Sequence, residues 1–158
     1  LSGWVLLHGA SRAAELGYRQ ELLGLSSTNR LRYWGTVSRP TETPEWVGDV
    51  GRVETFFEPA RLRDLERRLN LPPDGLTPHD AVVYVCGLTG TITATMDRLI
   101  DRGFIPHALP IREALGVPSD ARDSLFFELY DPAPLIDFTD PSVVQPLRAR
   151  MRAALASL

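Results

Sequence analysis

The sequence predicts a three-layer α/β/α fold around a parallel sheet, and three observations carry that prediction. Compact apolar runs of strand length alternate with segments whose apolar residues recur at helical spacing. Val82-Val83-Tyr84-Val85-Cys86 is apolar without alternation, as expected of a strand covered on both faces in a parallel sheet. That run and Trp4-Val5-Leu6-Leu7-His8 each lead through a glycine-containing turn into a helical pattern, the signature of a strand–helix unit. The expected sheet is single, with residues 81–86 central and residues 4–8 and 31–38 among its neighbours.

The first unit ends its strand in His8-Gly9-Ala10-Ser11-Arg12 and continues as a helix over 13–25, with Ala13, Leu16, Tyr18 and Leu23 supplying apolar area. Arg12 therefore stands at a strand–helix turn. It is either a phosphate contact there or a plain solvated arginine. The next strand, Leu31-Arg32-Tyr33-Trp34-Gly35-Thr36-Val37, ends in Ser38-Arg39-Pro40. Proline cannot continue a ladder, so a hydroxyl and a guanidinium are left side by side at the strand's carboxyl end. A loop rich in Pro, Thr, Glu and Gly follows, with Glu42, Glu45 and Asp49 read as pointing into solvent, and then Gly51-Arg52-Val53.

Residues 59–69 read as a helix with Leu62, Leu65 and Leu69 on its apolar side and Asp64, Glu66 and four arginines on its polar side. After Cys86-Gly87, residues 91–102 carry the stripe Ile92, Met96, Leu99, Ile100, with Thr91 as the expected cap and Gly103 as the stop. A short helix over 111–115 precedes a last strand over 124–130. Asp131-Pro132-Ala133-Pro134 is expected to be extended, and a final helix over 146–158 carries Leu147, Met151, Leu155 and Leu158 on one stripe.

Composition bounds the function classes. The chain of 158 residues carries a formal net charge of -3, which argues against nucleic acid or an acidic membrane as the main partner. No apolar run approaches the roughly 20 residues of a membrane helix. One cysteine excludes an internal disulfide and a cysteine-based zinc site, and fits a reducing cytoplasmic setting. Every one of the 17 basic side chains is arginine, so any cationic contact to phosphate is a guanidinium contact, with its bidentate geometry. Read alone, Cys86 is either a small buried hydrophobe or a residue on the sheet edge where α/β folds bind ligands.

Tyr84-Val85-Cys86-Gly87-Leu88-Thr89-Gly90 resembles the Cys-Gly-Leu-x-Gly stretch in the NADP-binding domain of plant-type ferredoxin–NADP(+) reductases. Four further features follow the order of that family. His8-Gly9-Ala10-Ser11-Arg12 resembles its His-Gly-x-Arg turn with one extra residue, and Ser38-Arg39 matches its Ser-Arg pair. Gly51-Arg52-Val53 matches a Gly-Arg-aliphatic step of its bacterial members, and Phe127-Glu128-Leu129-Tyr130 resembles its terminal Val-Glu-Val-Tyr.

The resemblance spans residues 4–130. It implies a Rossmann-like NADP-binding domain over 1–130 and a C-terminal extension over 131–158. The flavin-binding barrel and the Gly-Thr-Gly-x-(Ala/Ser)-Pro stretch of the family are not in this sequence, which suggests an excised domain inactive by itself. The implied cofactors are NADP(H) and FAD, the latter held by an N-terminal flavin domain of the same chain, with ferredoxin or flavodoxin as electron partner. Cofactor contacts fall on Gly9, Arg12, Ser38, Arg39, Arg52, Gly87 and Leu88. Cys86, Glu128 and Tyr130 would serve hydride transfer, Tyr130 by stacking on the flavin and Glu128 beside the nicotinamide. Two alternatives stay open: the NADPH domain of another flavoreductase, such as an oxygenase reductase component, and a non-catalytic nucleotide-binding module.

Overall fold

A computed structural model describes residues 3–131, 135–137 and 139–158. The chain is mixed α/β and divides into two compact units, Leu1–Phe56 and Phe57–Leu158.

In the first unit β1 (Trp4–Ala10), β2 (Leu31–Val37) and the short β3 (Asp49–Val50) form a parallel sheet in the order β1-β2-β3. The β1–β2 register runs from Trp4 opposite Leu31 to Ala10 opposite Val37, and β2 pairs on its other side with β3. Flanked on both edges, β2 supplies the buried residues Tyr33, Thr36 and Val37. The helix expected over 13–25 is broken in two. A 3-10 turn spans Ala13–Glu15 and α1 spans Arg19–Ser27, with Tyr18 between them at a left-handed φ of 56°. Leu16 is buried, whereas Tyr18 is 80% exposed. Gly17 lowers the cost of leaving the helix at this point, and α1 contains no fully buried residue.

In the second unit α2 (Pro59–Arg68) buries Leu62 and Leu65 at the expected spacing, and Leu69 just beyond its end. It also buries Glu66, which was expected on the polar side. That carboxylate accepts hydrogen bonds from the backbone N–H groups of Asp74 and Leu76, both at 3.1 Å, and lies 3.3 Å from Arg102. It organises the loop after α2, and helical periodicity carries no sign of such a partner.

The strand at the heart of the sequence reading, β4 (Val83–Gly87), pairs in parallel with β5 (Leu125–Leu129), with Val83 opposite Leu125 and Cys86 opposite Glu128. Residues 105–107 run beside β5, bridged at Pro106–Leu125 and bonded from His107 N–H to the Leu125 carbonyl at 2.9 Å. Among the described residues β4 is paired on one side only, so it lies at an edge of a two-stranded ladder. This corrects the single sheet centred on residues 81–86: the parallel pairing is as expected, but the strands fall into ladders of three and two. Burial along β4 alternates, with Tyr84 67% exposed. An apolar composition reports what a strand can bury. It does not report how many neighbours it has.

Three helices complete this unit: α3 (Thr89–Ile100), α4 (Leu109–Leu115) and α5 (Pro141–Ala156). The stripe Ile92, Met96, Leu99, Ile100 of α3 is buried as expected. Gly116 ends α4 at φ 69°, the left-handed position that favours glycine. α5 starts at Pro141 rather than at 146, because Asp140 accepts from the Ser142 N–H at 2.8 Å and proline suits the first helical position. Residues 132–134, where extended backbone was expected, lie outside the described residues. Among the described residues no helix is long and apolar enough to cross a membrane.

Candidate functional site

The candidate residues fall on the two units, five of the cofactor contacts in the first and the rest in the second, and each group is built at the carboxyl ends of parallel strands.

In the first unit, the backbone carries β1 and β2 on together past their last residues. Ser38 N–H donates to the Ala10 carbonyl and Arg39 N–H to the Ser11 carbonyl, both at 3.0 Å. The Ser11-Arg12 turn and the Ser38-Arg39 pair are therefore neighbours. Arg12 donates from Nε to Glu42 at 2.7 Å and pairs through a terminal nitrogen with Glu15 at 2.8 Å. Arg39 lies 3.7 Å from the other oxygen of the same Glu42 carboxylate. Two guanidinium groups from two adjacent strand ends thus share one anion. Glu42 is exposed, as expected, and the 3-10 turn Pro40–Glu42 that Pro40 begins also sets its carboxylate against both guanidinium groups.

Glu15 serves the same turn differently. One of its carboxylate oxygens accepts from the backbone N–H groups of Ser11 and Arg12, both at 3.1 Å. The hydrogen bond from the Arg12 guanidinium, and after it these backbone bonds, hold the Glu15 carboxyl below its usual range. Arg12 is pushed in the opposite sense, to stronger basicity, first by its hydrogen bond with Glu15 and then by Glu42. The turn's donors are thus already occupied by a side chain.

Arg52 follows Gly51, whose N–H donates to the Val37 carbonyl at 2.8 Å, so it sits one step from the Ser38 end of β2. Its Nε is held by the buried carboxylate of Glu54. At Gly9 a Cβ would meet the Val53 Cβ at 2.7 Å, so the missing side chain makes room for the Arg52-Val53 segment.

In the second unit, Cys86 and Glu128 face each other across the β4–β5 ladder, and the Tyr130 N–H extends it by donating to the Gly87 carbonyl at 2.9 Å. Cys86 is exposed, not a buried hydrophobe. Tyr130 is 64% exposed; its phenol is held above its ordinary pKa first by Cys86, then by partial burial and by Glu128. The three residues singled out for chemistry are thus one cluster. Below them on the same face, Tyr84 stacks on Phe126 at 5.0 Å between ring centroids, and His107 stacks on Phe126 at 5.3 Å. The sequence reading missed His107. Its position, just before the helix at 109–115, gave no periodic signal.

Gly87 takes an ordinary φ, and a Cβ there would only touch Thr91 at 3.7 Å, so no steric demand fixes glycine at that place. Leu88, not Thr91, is the residue before α3, and it is 59% exposed. The cap of α3 comes from Asp131, which accepts from the Thr89 N–H at 3.1 Å and from the Thr89 hydroxyl. The first backbone donor of this helix is thus satisfied by a carboxylate of the chain.

Among the described residues no group of three His, Cys, Asp or Glu side chains is placed to hold a metal ion. The chain matches no protein-family model and no curated protein.

Proposed function

We propose that this chain is the NADP(H)-binding domain of a flavin-dependent oxidoreductase of the ferredoxin/flavodoxin–NADP(+) reductase type, Rossmann-like in architecture and cytoplasmic. The observation that carries the reading is the meeting of Arg12 and Arg39 on one carboxylate beside Ser38, at the carboxyl ends of two adjacent parallel strands. That edge is where open α/β sheets take their ligands. Two guanidinium groups and a hydroxyl suit the several oxygens of a phosphate monoester better than the two of a carboxylate. Arg52, one residue beyond Gly51, adds a third cation at the same end of the sheet.

In this reading Arg12, Ser38, Arg39 and Arg52 hold the phosphates of the adenosine half. Considered by itself, the Cys86–Glu128–Tyr130 cluster of the second unit suits a nicotinamide ring. Cys86 offers a small soft surface for close approach, Glu128 accepts a hydrogen bond from the ring's amide, and the exposed Tyr130 ring offers a face for stacking. Nicotinamide and flavin carry the hydride chemistry, and the protein supplies position and charge. For FAD the chain provides the Tyr130 ring, the remainder of that site belonging to a separate flavin domain. Ferredoxin or flavodoxin would be the electron partner.

The test is coenzyme discrimination. Arg39→Ala should weaken NADP+ binding by about 1.5–3 kcal/mol and leave NAD+ binding nearly unchanged, since only the former carries the extra phosphate. Calorimetric titration of both coenzymes reads this directly. Equal losses for the two would remove the argument for a 2'-phosphate site.

A further inference from the structure

We propose that Glu42 is an internal competitor for the phosphate site, setting how tightly the chain binds a 2'-phosphorylated nucleotide; this rests on the reading of Arg12 and Arg39 given above. Glu42 is neither a structural keystone nor a spectator. Its side chain is 42% exposed, yet one oxygen lies 2.5 Å from an Arg12 terminal nitrogen and the other 3.7 Å from Arg39. It therefore stands where an incoming dianion would have to stand. Exposed ion pairs contribute little to folding, because solvent screens them. The same pairs matter more for a ligand that must displace one partner, since the carboxylate is then both a rival for the guanidinium groups and a repelling like charge.

The local charge makes the effect specific. Arg12 is shared by Glu15 and Glu42, while Arg39 has Glu42 within ion-pair distance. Glu15 is tied to the backbone N–H groups of Ser11 and Arg12, so displacing it would also strip two donors. Its backbone anchoring makes Glu15 the fixed carboxylate and Glu42 the exchangeable one. Before binding, Glu42 keeps the two guanidinium groups turned toward a common point. On binding, it swings out on the short turn Pro40–Glu42 and yields that point to phosphate.

The two consequences separate by ligand. Removing the Glu42 charge should help a ligand with a 2'-phosphate and do nothing for one without it. The experiment titrates adenosine 2',5'-bisphosphate and adenosine 5'-monophosphate into the 158-residue chain, as wild type and as Glu42→Gln. The expected result is an increase of about three- to tenfold in affinity for the bisphosphate, the scale set by an exposed pair plus like-charge repulsion, and no change for the monophosphate. Binding of the bisphosphate gained only in Glu42→Gln is the same result in stronger form. Wild-type binding of the bisphosphate with no gain, or with a loss, in Glu42→Gln overturns the competitor role and leaves the coenzyme reading standing. A parallel gain for both nucleotides also overturns it, since the effect is then the general field. No bisphosphate binding by either protein overturns both. Should Glu42→Gln fold poorly, the wild-type chain provides the second measurement. The NMR signal of the Arg12 Nε–H, bonded to Glu42 in the free state, should shift with the bisphosphate and stay in place with the monophosphate; a stationary signal under saturating bisphosphate contradicts displacement.

Discussion

At the scale of single residues, the carboxylates carry most of the information that the sequence withheld. The positions of Arg12, Ser38 and Arg39 just past two strand ends were legible, because apolar runs that stop at polar residues mark where strands end. Glu42 and Glu66 were not, because what a carboxylate bonds depends on residues brought to it by folding. Glu66, 1% exposed, satisfies two loop N–H groups and faces Arg102. Glu66→Ala should cost about 2–4 kcal/mol in chemical denaturation, since it orphans buried donors as well as breaking a pair. A loss within experimental error of zero would mean water replaces the carboxylate. His8 gives a pH-dependent counterpart. Its ring lies 3.3 Å from the Tyr33 hydroxyl, and burial lowers its pKa from the ordinary 6.5. A depressed folded value means the unfolded chain binds the proton first, so stability is full above about pH 6.5 and declines as the pH falls toward the lowered value. Denaturation midpoints at pH 7.5 and pH 5 should therefore differ more for the wild type than for His8→Gln. Parallel behaviour of the two proteins would remove His8 as the cause.

At the scale of elements, the C-terminal segment shows where a stripe of apolar residues leads. Leu147, Met151, Leu155 and Leu158 predicted a helix that buries one apolar stripe. The buried residues of α5 are instead Val144, Met151 and Ala154, packed within the second unit. Thr93 donates to the Leu135 carbonyl at 3.1 Å, Arg150 reaches Asp97 on α3 and Asp101 just past its end at 2.6 and 2.7 Å, and Arg148 donates to the Ala114 carbonyl at 2.7 Å. Asp131 begins this path by capping α3. The helix was legible in the sequence because periodicity is local. Its partner was not, since apolar side chains have no directional preference. Met151→Ala should cost about 2–5 kcal/mol, the range for emptying a buried methionine. Ending the chain after Tyr130 should expose the α3 and α4 faces and abolish cooperative unfolding of the second unit, seen by circular dichroism. An undisturbed melting curve for the truncated chain would show that α5 is an appendage.

At the scale of the molecule, strand direction was legible and strand number was not. The strand–turn–helix alternation called for parallel pairing, and β1–β2 and β4–β5 are both parallel. Among the described residues the ladders count three strands and two, with β4 at an edge. Tyr84 and Cys86 lie on an exposed face of β4, which turns a predicted core strand into the rim of the Cys86–Glu128–Tyr130 cluster. Each candidate group lies where the parallel strands of its own unit end. The central claim of the proposed function is that this chain selects a nucleotide by its 2'-phosphate. Dissociation constants of the 158-residue chain for NADP+ and NAD+ at one fixed ionic strength test it most directly. The account predicts NADP+ binding tighter by at least about tenfold, the scale of one charge-assisted contact, with the preference shrinking as salt is raised. Equal affinity for the two coenzymes, or binding of neither, would contradict it.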